Sequence, residues 1–479
     1  MASGSRPTGG VDGIQPYRMS VSQKYLDLTR QKLQLTRLPR DPRNAQSPGE
    51  YGVSKNDLEP LIDHWLESYD WRAQESFYND TLPQYRVPVN GTRLHFVHKK
   101  SQSPNALPLL FVHGFPESFV TAAKVVDALC DPIATPPRGD EDVQNFNVVV
   151  PSISGFGFSD PIAEAGNNMQ ATAEVFNTLM AGLGYHRYIA HGTGWGFNIC
   201  RILALTHPNN CVAVHTVNPD VPAPRFAASP FLWLKLRLVK LTYLICRSVF
   251  GYGPEDWSAQ TTPSLTPGAG QWISERPQTT AYALADSPSG LLAFILDAIR
   301  PPSLRSPAQS SPGGNSPEYL RTQTPGRSPI SPQTYTTPQT GRSPSNPAAS
   351  HSPQNLELND LASAWNPTAL LNWTMLYWLP GPEVALRWLV NSSKLVPSLW
   401  LGHCGVPLGI SYFHDPGSAN AQTPPQWTEA YFRVAMVQRR EGRVRFPAWE
   451  RPAELVIDLR EFAGLLGLTG GGPAVTNGY

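Results

Sequence analysis

Six residues, His191-Gly-Thr-Gly-Trp-Gly196, restrict the folds open to this chain more than any others. Apolar text, Tyr188–Ala190, runs straight into them, and apolar helical text follows. A small-x-nucleophile-x-small pattern on a sharp strand-to-helix turn lifts one side chain above the end of a sheet. The small frame here is Gly192 and Gly196, so the raised position falls on Gly194. Glycine has no side chain with which to attack. A slip of one residue would raise Thr193 instead, but then the small residues no longer frame it.

The surrounding text agrees with that turn. Tyr85–Val89, Arg93–His98, Leu107–Val112, Phe146–Val150 and Ala213–Val217 read as strands, and Met169–Leu183 as a helix between two of them. Leu107–Val112 is almost wholly apolar, as a strand covered on both faces should be. Strands alternating with helices predict a doubly wound α/β sheet whose ligands sit beyond the carboxyl ends of the strands. A second glycine turn, His113-Gly-Phe-Pro116, follows Leu107–Val112 at such an end. From about Val221 to Ser398 the strand rhythm stops and helical text rich in Trp, Leu and Tyr takes over, which predicts a lid. Strands resume at Val406–Phe413 and Phe432–Gln438, and Pro452–Leu465 reads as a closing helix.

Composition removes several function classes. Lys plus Arg number 38 and Asp plus Glu 37, so no net field selects nucleic acid or an anionic membrane. The 5 cysteines (Cys130, Cys200, Cys211, Cys246, Cys404) lack CxxC spacing, which predicts free thiols in a reducing, cytoplasmic compartment, and neither metal nor cofactor. No leader is read in the first residues. Pro230–Phe250 is apolar but carries Lys235, Arg237, Lys240 and Arg247; it reads as a lid helix of a soluble protein, with an interfacial helix as the alternative. Pro301–Pro353 is Ser, Pro, Thr, Gln and Gly with few apolar residues, which predicts disorder. Its Ser-Pro and Thr-Pro pairs read either as a phosphorylation tract or as a tolerated insertion, and 131–143 as a shorter insertion.

Several blocks in order then resemble the microsomal-type epoxide hydrolases, especially their soluble fungal forms, within the α/β-hydrolase superfamily. They are Leu35-Thr-Arg-Leu-Pro39, Tyr69-Asp-Trp-Arg-Ala-Gln-Glu75, Phe111-Val-His-Gly-Phe-Pro-Glu-Ser118, Val149-Val-Pro-Ser-Ile-Ser-Gly-Phe-Gly-Phe-Ser159 and the Gly194 turn. Asp286-Ser-Pro-Ser-Gly-Leu-Leu-Ala293, Met375-Leu-Tyr-Trp378 and Phe446-Pro-Ala-Trp-Glu-Arg-Pro452 complete the series. The resemblance implies an N-terminal lead segment over 1–100, an α/β-hydrolase core in two halves (101–220 and 399–479), and a helical lid over 221–398 that contains the 301–356 insertion.

It also implies a chemistry that can be checked residue by residue. In that family an elbow aspartate attacks the epoxide to form an ester, a histidine paired with an acid activates water, and two lid tyrosines hold the epoxide oxygen. The aspartate aligns with Gly194. The histidine aligns with Arg445, which stays protonated and cannot serve as a general base. The acid aligns with Asp415 to within one residue, with Asp220 as the rival. The first tyrosine falls at Ala269 and the second near Leu389 or Val390. His113, Gly114, Phe115, Pro116 and Trp195 align with the oxyanion turn and its partner amide. An arginine at 445 beside an aspartate at 415 predicts an ion pair in place of the triad. His191 and His414 read as structural.

The expectation is an epoxide-hydrolase-like protein that binds a small hydrophobic epoxide-type molecule without the usual nucleophile and base. The alternative is an inactive ligand-binding or regulatory protein, or a decayed gene product.

Overall fold

The computed structural model describes residues 13–42, 51–131, 144–162, 166–226, 229–242, 276–299, 364–414 and 423–468. Asp415, Ala269, the 301–356 insertion and 132–143 lie outside them.

Nine strands form one sheet: β1 (Gln15–Tyr17), β2 (Gln84–Val89), β3 (Thr92–Lys99), β4 (Leu107–Val112), β5 (Phe146–Pro151), β6 (Tyr188–Gly192), β7 (Cys211–Val217), β8 (Cys404–His414) and β9 (Phe432–Glu441). Their order is β1-β2-β3-β5-β4-β6-β7-β8-β9. The first four in that order pair antiparallel, and every pair from β5 onward is parallel. The β4–β5 and β4–β6 pairs have the parallel order that the apolar runs predict. The short strand β1 was not legible, because three residues, two of them exposed, carry no alternation to read.

Local capping sets the helix starts. The Asp70 carboxylate accepts from the amides of Arg72 and Ala73 at 2.8 and 3.3 Å, opening the helix Trp71–Thr81. Asn168 does the same for Met169–Gly182. Such caps satisfy amides that have no partner within the helix.

The lead segment braces the lid. Asn372, on the lid helix Pro367–Trp378, accepts from the Tyr69 hydroxyl at 2.8 Å and donates to Gln74 and to the Tyr78 oxygen at 2.9 and 3.1 Å. The Trp378 indole donates to Thr29 at 2.7 Å. Helices Pro277–Asp286, Pro288–Ile299 and Glu383–Ser393 complete the described part of the lid near the core.

The elbow helix Trp195–Thr206 is pinned by Arg201, which is fully buried. Its guanidinium donates to the carbonyls of Leu399, Tyr431 and Gly402 at 3.0, 2.9 and 2.5 Å. It also lies over the Trp400 ring at 4.5 Å. Cys130, Cys200, Cys211 and Cys404 are free and buried.

Candidate functional site

At the end of β6 the chain turns through Gly194 with φ +51° and ψ −117°. Residues with a Cβ rarely adopt this region, and strain held there is a feature of functional turns. A Cβ built on Gly192 would come within 2.6 Å of Gly196, and one on Gly196 within 2.3 Å of the Val112 carbonyl oxygen. A Cβ on Gly194 would meet no described atom within 4 Å. The two outer glycines are therefore steric requirements, and the central one occupies the position that opens outward.

Thr193 has another task. Its hydroxyl donates to Glu117 Oε2 at 3.2 Å, and the Gly114 amide donates to the same oxygen at 3.0 Å. A Cβ on Gly114 would lie 3.0 Å from the Thr193 carbonyl oxygen, 3.1 Å from Glu117 Oε2 and 3.6 Å from the Trp195 amide nitrogen. The glycine thus allows the oxyanion-type turn and the elbow to close on one carboxyl group. Among the described residues the Phe115 and Trp195 amides donate to nothing, and Glu117 Oε1 accepts nothing. Two free backbone donors beside an elbow can hold a ligand oxygen.

Glu117 is buried, and burial pushes its carboxyl up to about 7. The bonds from Gly114 and Thr193 act against that rise; the nearby Glu450 carboxyl adds to it and the Arg445 cation opposes it. The Tyr377 hydroxyl fixes the same residue from the lid, donating to the Glu117 carbonyl at 2.7 Å. The sequence contains Glu117 within a quoted block, yet no role follows from it there. The available signal was an acid embedded in a turn of apolar residues.

Of the other expected residues, His113 is a brace. Its Nε2 accepts the Ile153 amide at 3.1 Å, so its Nδ1 carries the proton and donates to the Gly114 carbonyl at 2.9 Å. Burial lowers it to about 4, which keeps it neutral. Phe115 and Pro116 are joined by a cis peptide bond. Leu389 and Val390 are buried on the helix Glu383–Ser393, and neither offers a hydroxyl. Asp220 is exposed and accepts from Thr423 at 3.3 Å. The predicted pairing of Arg445 with Asp415 lies outside the described residues on its acid side. On the described side, Arg445 donates through its guanidinium to the Ile299 carbonyl at 3.4 Å and through its amide to Glu450 at 2.7 Å.

His191 enters a buried polar chain. Ser411 donates to Asp458 at 2.5 Å, so its oxygen accepts His215 Nε2–H at 3.2 Å. His215 Nδ1 is then bare and accepts from His191 Nδ1 at 3.0 Å. Asp458 ends the chain in an ion pair with Arg440. Burial lowers His215 to about 3 and His191 well below its usual value, so both rings are neutral. His414 Nδ1 lies 3.3 Å from the Arg440 carbonyl oxygen. Among the described residues both His191 and His215 are thus committed to this buried chain.

Aromatic rings run from the elbow into the lid. Trp195 meets Trp388 at 5.8 Å, Trp388 meets Phe156 at 5.4 Å, and Phe156 meets Tyr377 at 5.9 Å. Phe115 joins Tyr377 at 5.4 Å and Phe294 at 5.9 Å. Among the described residues no cluster of three or more His, Cys, Asp or Glu could hold a metal ion.

The comparison with known proteins now fits this geometry. Residues 14–122 match the family model described as the epoxide hydrolase N terminus, and residues 108–244 the model of the alpha/beta hydrolase fold. Both matches support placing the chain with the epoxide hydrolases of the α/β-hydrolase superfamily. It is 32% identical to epoxide hydrolase 1 of Sus scrofa over 61% of this chain and 64% of that protein. To epoxide hydrolase 1 of Oryctolagus cuniculus it is 30% identical, over 61% and 64%. The matches thus span less than two thirds of the relatives' own length. In fold it resembles the Aspergillus niger epoxide hydrolase (TM-score 0.65, 21% identity, 96% of this chain and 98% of that one). The Bombyx mori juvenile hormone epoxide hydrolase is similar (TM-score 0.68, 21% identity, 95% of both).

Proposed function

We propose that this epoxide-hydrolase-like protein binds a small apolar molecule bearing an oxygen atom at the elbow and forms no covalent ester with it. One observation carries the reading: Gly194 holds the raised position while the Phe115 and Trp195 amides beside it stay unbonded. The oxygen receptor is present and the attacking group is not. The aromatic rings supply the apolar wall that small-molecule sites need. The names of the relatives make an epoxide the first molecule to try.

Styrene oxide added to the full chain should quench tryptophan fluorescence in a saturable way, while intact-mass spectrometry shows no adduct. A stable or trapped ester adduct would overturn the reading, as would the absence of saturable binding of any epoxide tried.

Glu117 favours a second reading, in which the bound molecule is hydrated without an ester. Its free oxygen would take a proton from water as the water oxygen bonds to the epoxide carbon. The ring C–O bond breaks, and solvent protonates the resulting alkoxide. A base whose pKa lies near the working pH suits proton transfer. Diol formation lost in Glu117→Gln, with styrene oxide binding kept, would select this reading.

A further inference from the structure

The lid helix Pro230–Thr242 has the wrong side dry. Its buried residues, Leu236 and Val239, pack in a small cluster with Ala223 and Trp427. On the opposite face Phe231, Leu234, Leu238 and Leu241 are 78%, 50%, 44% and 75% exposed. They are spaced three, four and three apart, so they form one stripe along the helix. Phe226, before the helix, is 64% exposed and meets the Trp233 ring at 5.3 Å.

The borders of the stripe are basic. At about 100° per residue, Lys235 falls between the stripe and the buried face on one side and Arg237 on the other. Arg237 lies over the Trp233 ring at 5.1 Å, and Lys235 reaches Glu429 at 3.8 Å. The helix carries no acidic residue. Its 13 described residues are about 20 Å long. Among the described residues no single helix is long and apolar enough to span a bilayer. An apolar stripe edged with Lys, Arg and Trp is the pattern of a helix lying in the plane of a membrane surface. Large exposed apolar patches also mark association sites, and the basic edges choose between the partners.

We propose that the helix Pro230–Thr242 docks this protein on an anionic lipid surface, with Phe231, Leu234, Leu238 and Leu241 in the acyl boundary and Arg237 at the headgroups. The sequence reading put a lid helix of a soluble protein first and an interfacial helix second, because composition does not reveal which face the fold leaves uncovered. The membrane is the occupant that matches both features, since Lys235 is met by Glu429 while the exposed Arg237 at the edge of the stripe calls for an anionic group that a purely apolar partner lacks.

Co-sedimentation of the full chain with vesicles tests the proposal. One set contains phosphatidylcholine alone and the other phosphatidylcholine mixed with phosphatidylserine. The protein should partition onto the mixed vesicles, more weakly onto phosphatidylcholine, and less as salt is raised. A Phe231→Ser/Leu241→Ser double variant should lose about tenfold or more in partition. Arg237→Glu should lose about fivefold or more on the mixed vesicles alone. These positions are exposed, so circular dichroism should show unchanged folding. Failure of the wild type to sediment with either vesicle would overturn the proposal, as would equal partition of wild type and double variant. A dimer in light scattering that the double variant converts to monomer, without vesicle binding, would instead assign the stripe to a second copy of the chain. Glu117→Gln should sediment as the wild type does, so the outcome stands apart from that of the elbow site.

Discussion

Thr193 gives its hydroxyl proton to the Glu117 carboxylate at 3.2 Å, which makes the one hydroxyl of the elbow a ligand of an acid rather than an attacking group. That acid in turn joins the two turns of the site, because its same oxygen receives the Gly114 amide.

Glu117 should make stability depend on pH. Its carboxyl sits at about 7 in the folded protein and near its ordinary value of 4.5 when unfolded. The folded state therefore holds the extra proton between those values, and stability falls as pH rises through the window. The loss is on the order of 3 kcal/mol, complete above about pH 7. Urea midpoints measured from pH 4.5 to 8 should show this slope in the wild type and a flatter one in Glu117→Gln. Equal slopes would mean that the carboxyl is not held in its neutral form.

The three elbow glycines should differ in tolerance. Gly194→Ala meets no described neighbour but forces a left-handed backbone on alanine, at about 1–3 kcal/mol. Gly196→Ala places its methyl 2.3 Å from the Val112 carbonyl oxygen, which the sheet cannot move. The first variant should stay soluble with a lowered Tm, and the second should not fold. Similar Tm values for both would refute the elbow register.

Restoring the nucleophile should not restore the family reaction. Gly194→Asp supplies a carboxylate, yet Arg445 cannot deprotonate the water that would release an ester. After incubation with styrene oxide, mass spectrometry should find either no adduct or one that persists, and no multiple-turnover diol. Sustained diol release by Gly194→Asp would show that another group, with Glu117 first in line, acts as the base.

Asp458 is fully buried, and Arg440 is its cation. Removing the cation with Arg440→Met leaves a buried carboxylate without its counter-charge, which costs about 3–5 kcal/mol. Asp458→Asn in the same background should recover part of that loss, since the carboxamide needs no counter-charge. Additive losses in urea denaturation would argue against the pair.

Arg201 should prove as important to the site as any residue within it. It ties the elbow helix to three carbonyls, and Arg201→Met would strand that of Leu399 and take one of two donors from that of Tyr431. At about 1–3 kcal/mol for each stranded group, the variant should unfold well before the wild type. A Tm within a degree or two of the wild type would mean that water or a local shift replaces the guanidinium.

The order of elements was legible because its signals are local. Leu107–Val112 was read to the residue, and so was the helix Pro452–Leu465, since apolar runs and a leading proline mark them without reference to the rest of the chain. The elbow was legible for the same reason: Gly192, Gly194 and Gly196 stand within five residues, and their steric need arises in one turn. Family blocks placed the lead segment and the lid around that turn.

Tertiary structure decided the rest. Glu117 acquires its neutral tendency from burial, which no motif encodes. Tyr377 reaches it across 260 positions of sequence, and His191 meets Asp458 only through strands contributed from distant parts of the chain. The lid helix of 230–242 reads the same in sequence whichever face is packed; only the fold leaves Phe231 and Leu241 in the open. Sequence by itself determined which backbone could turn at Gly194 and which strands could be covered on both faces, because sterics and apolar period act within a few residues. Charge state, hydrogen-bond partner and exposed face waited on the fold, because each depends on which distant atoms displace water from a side chain.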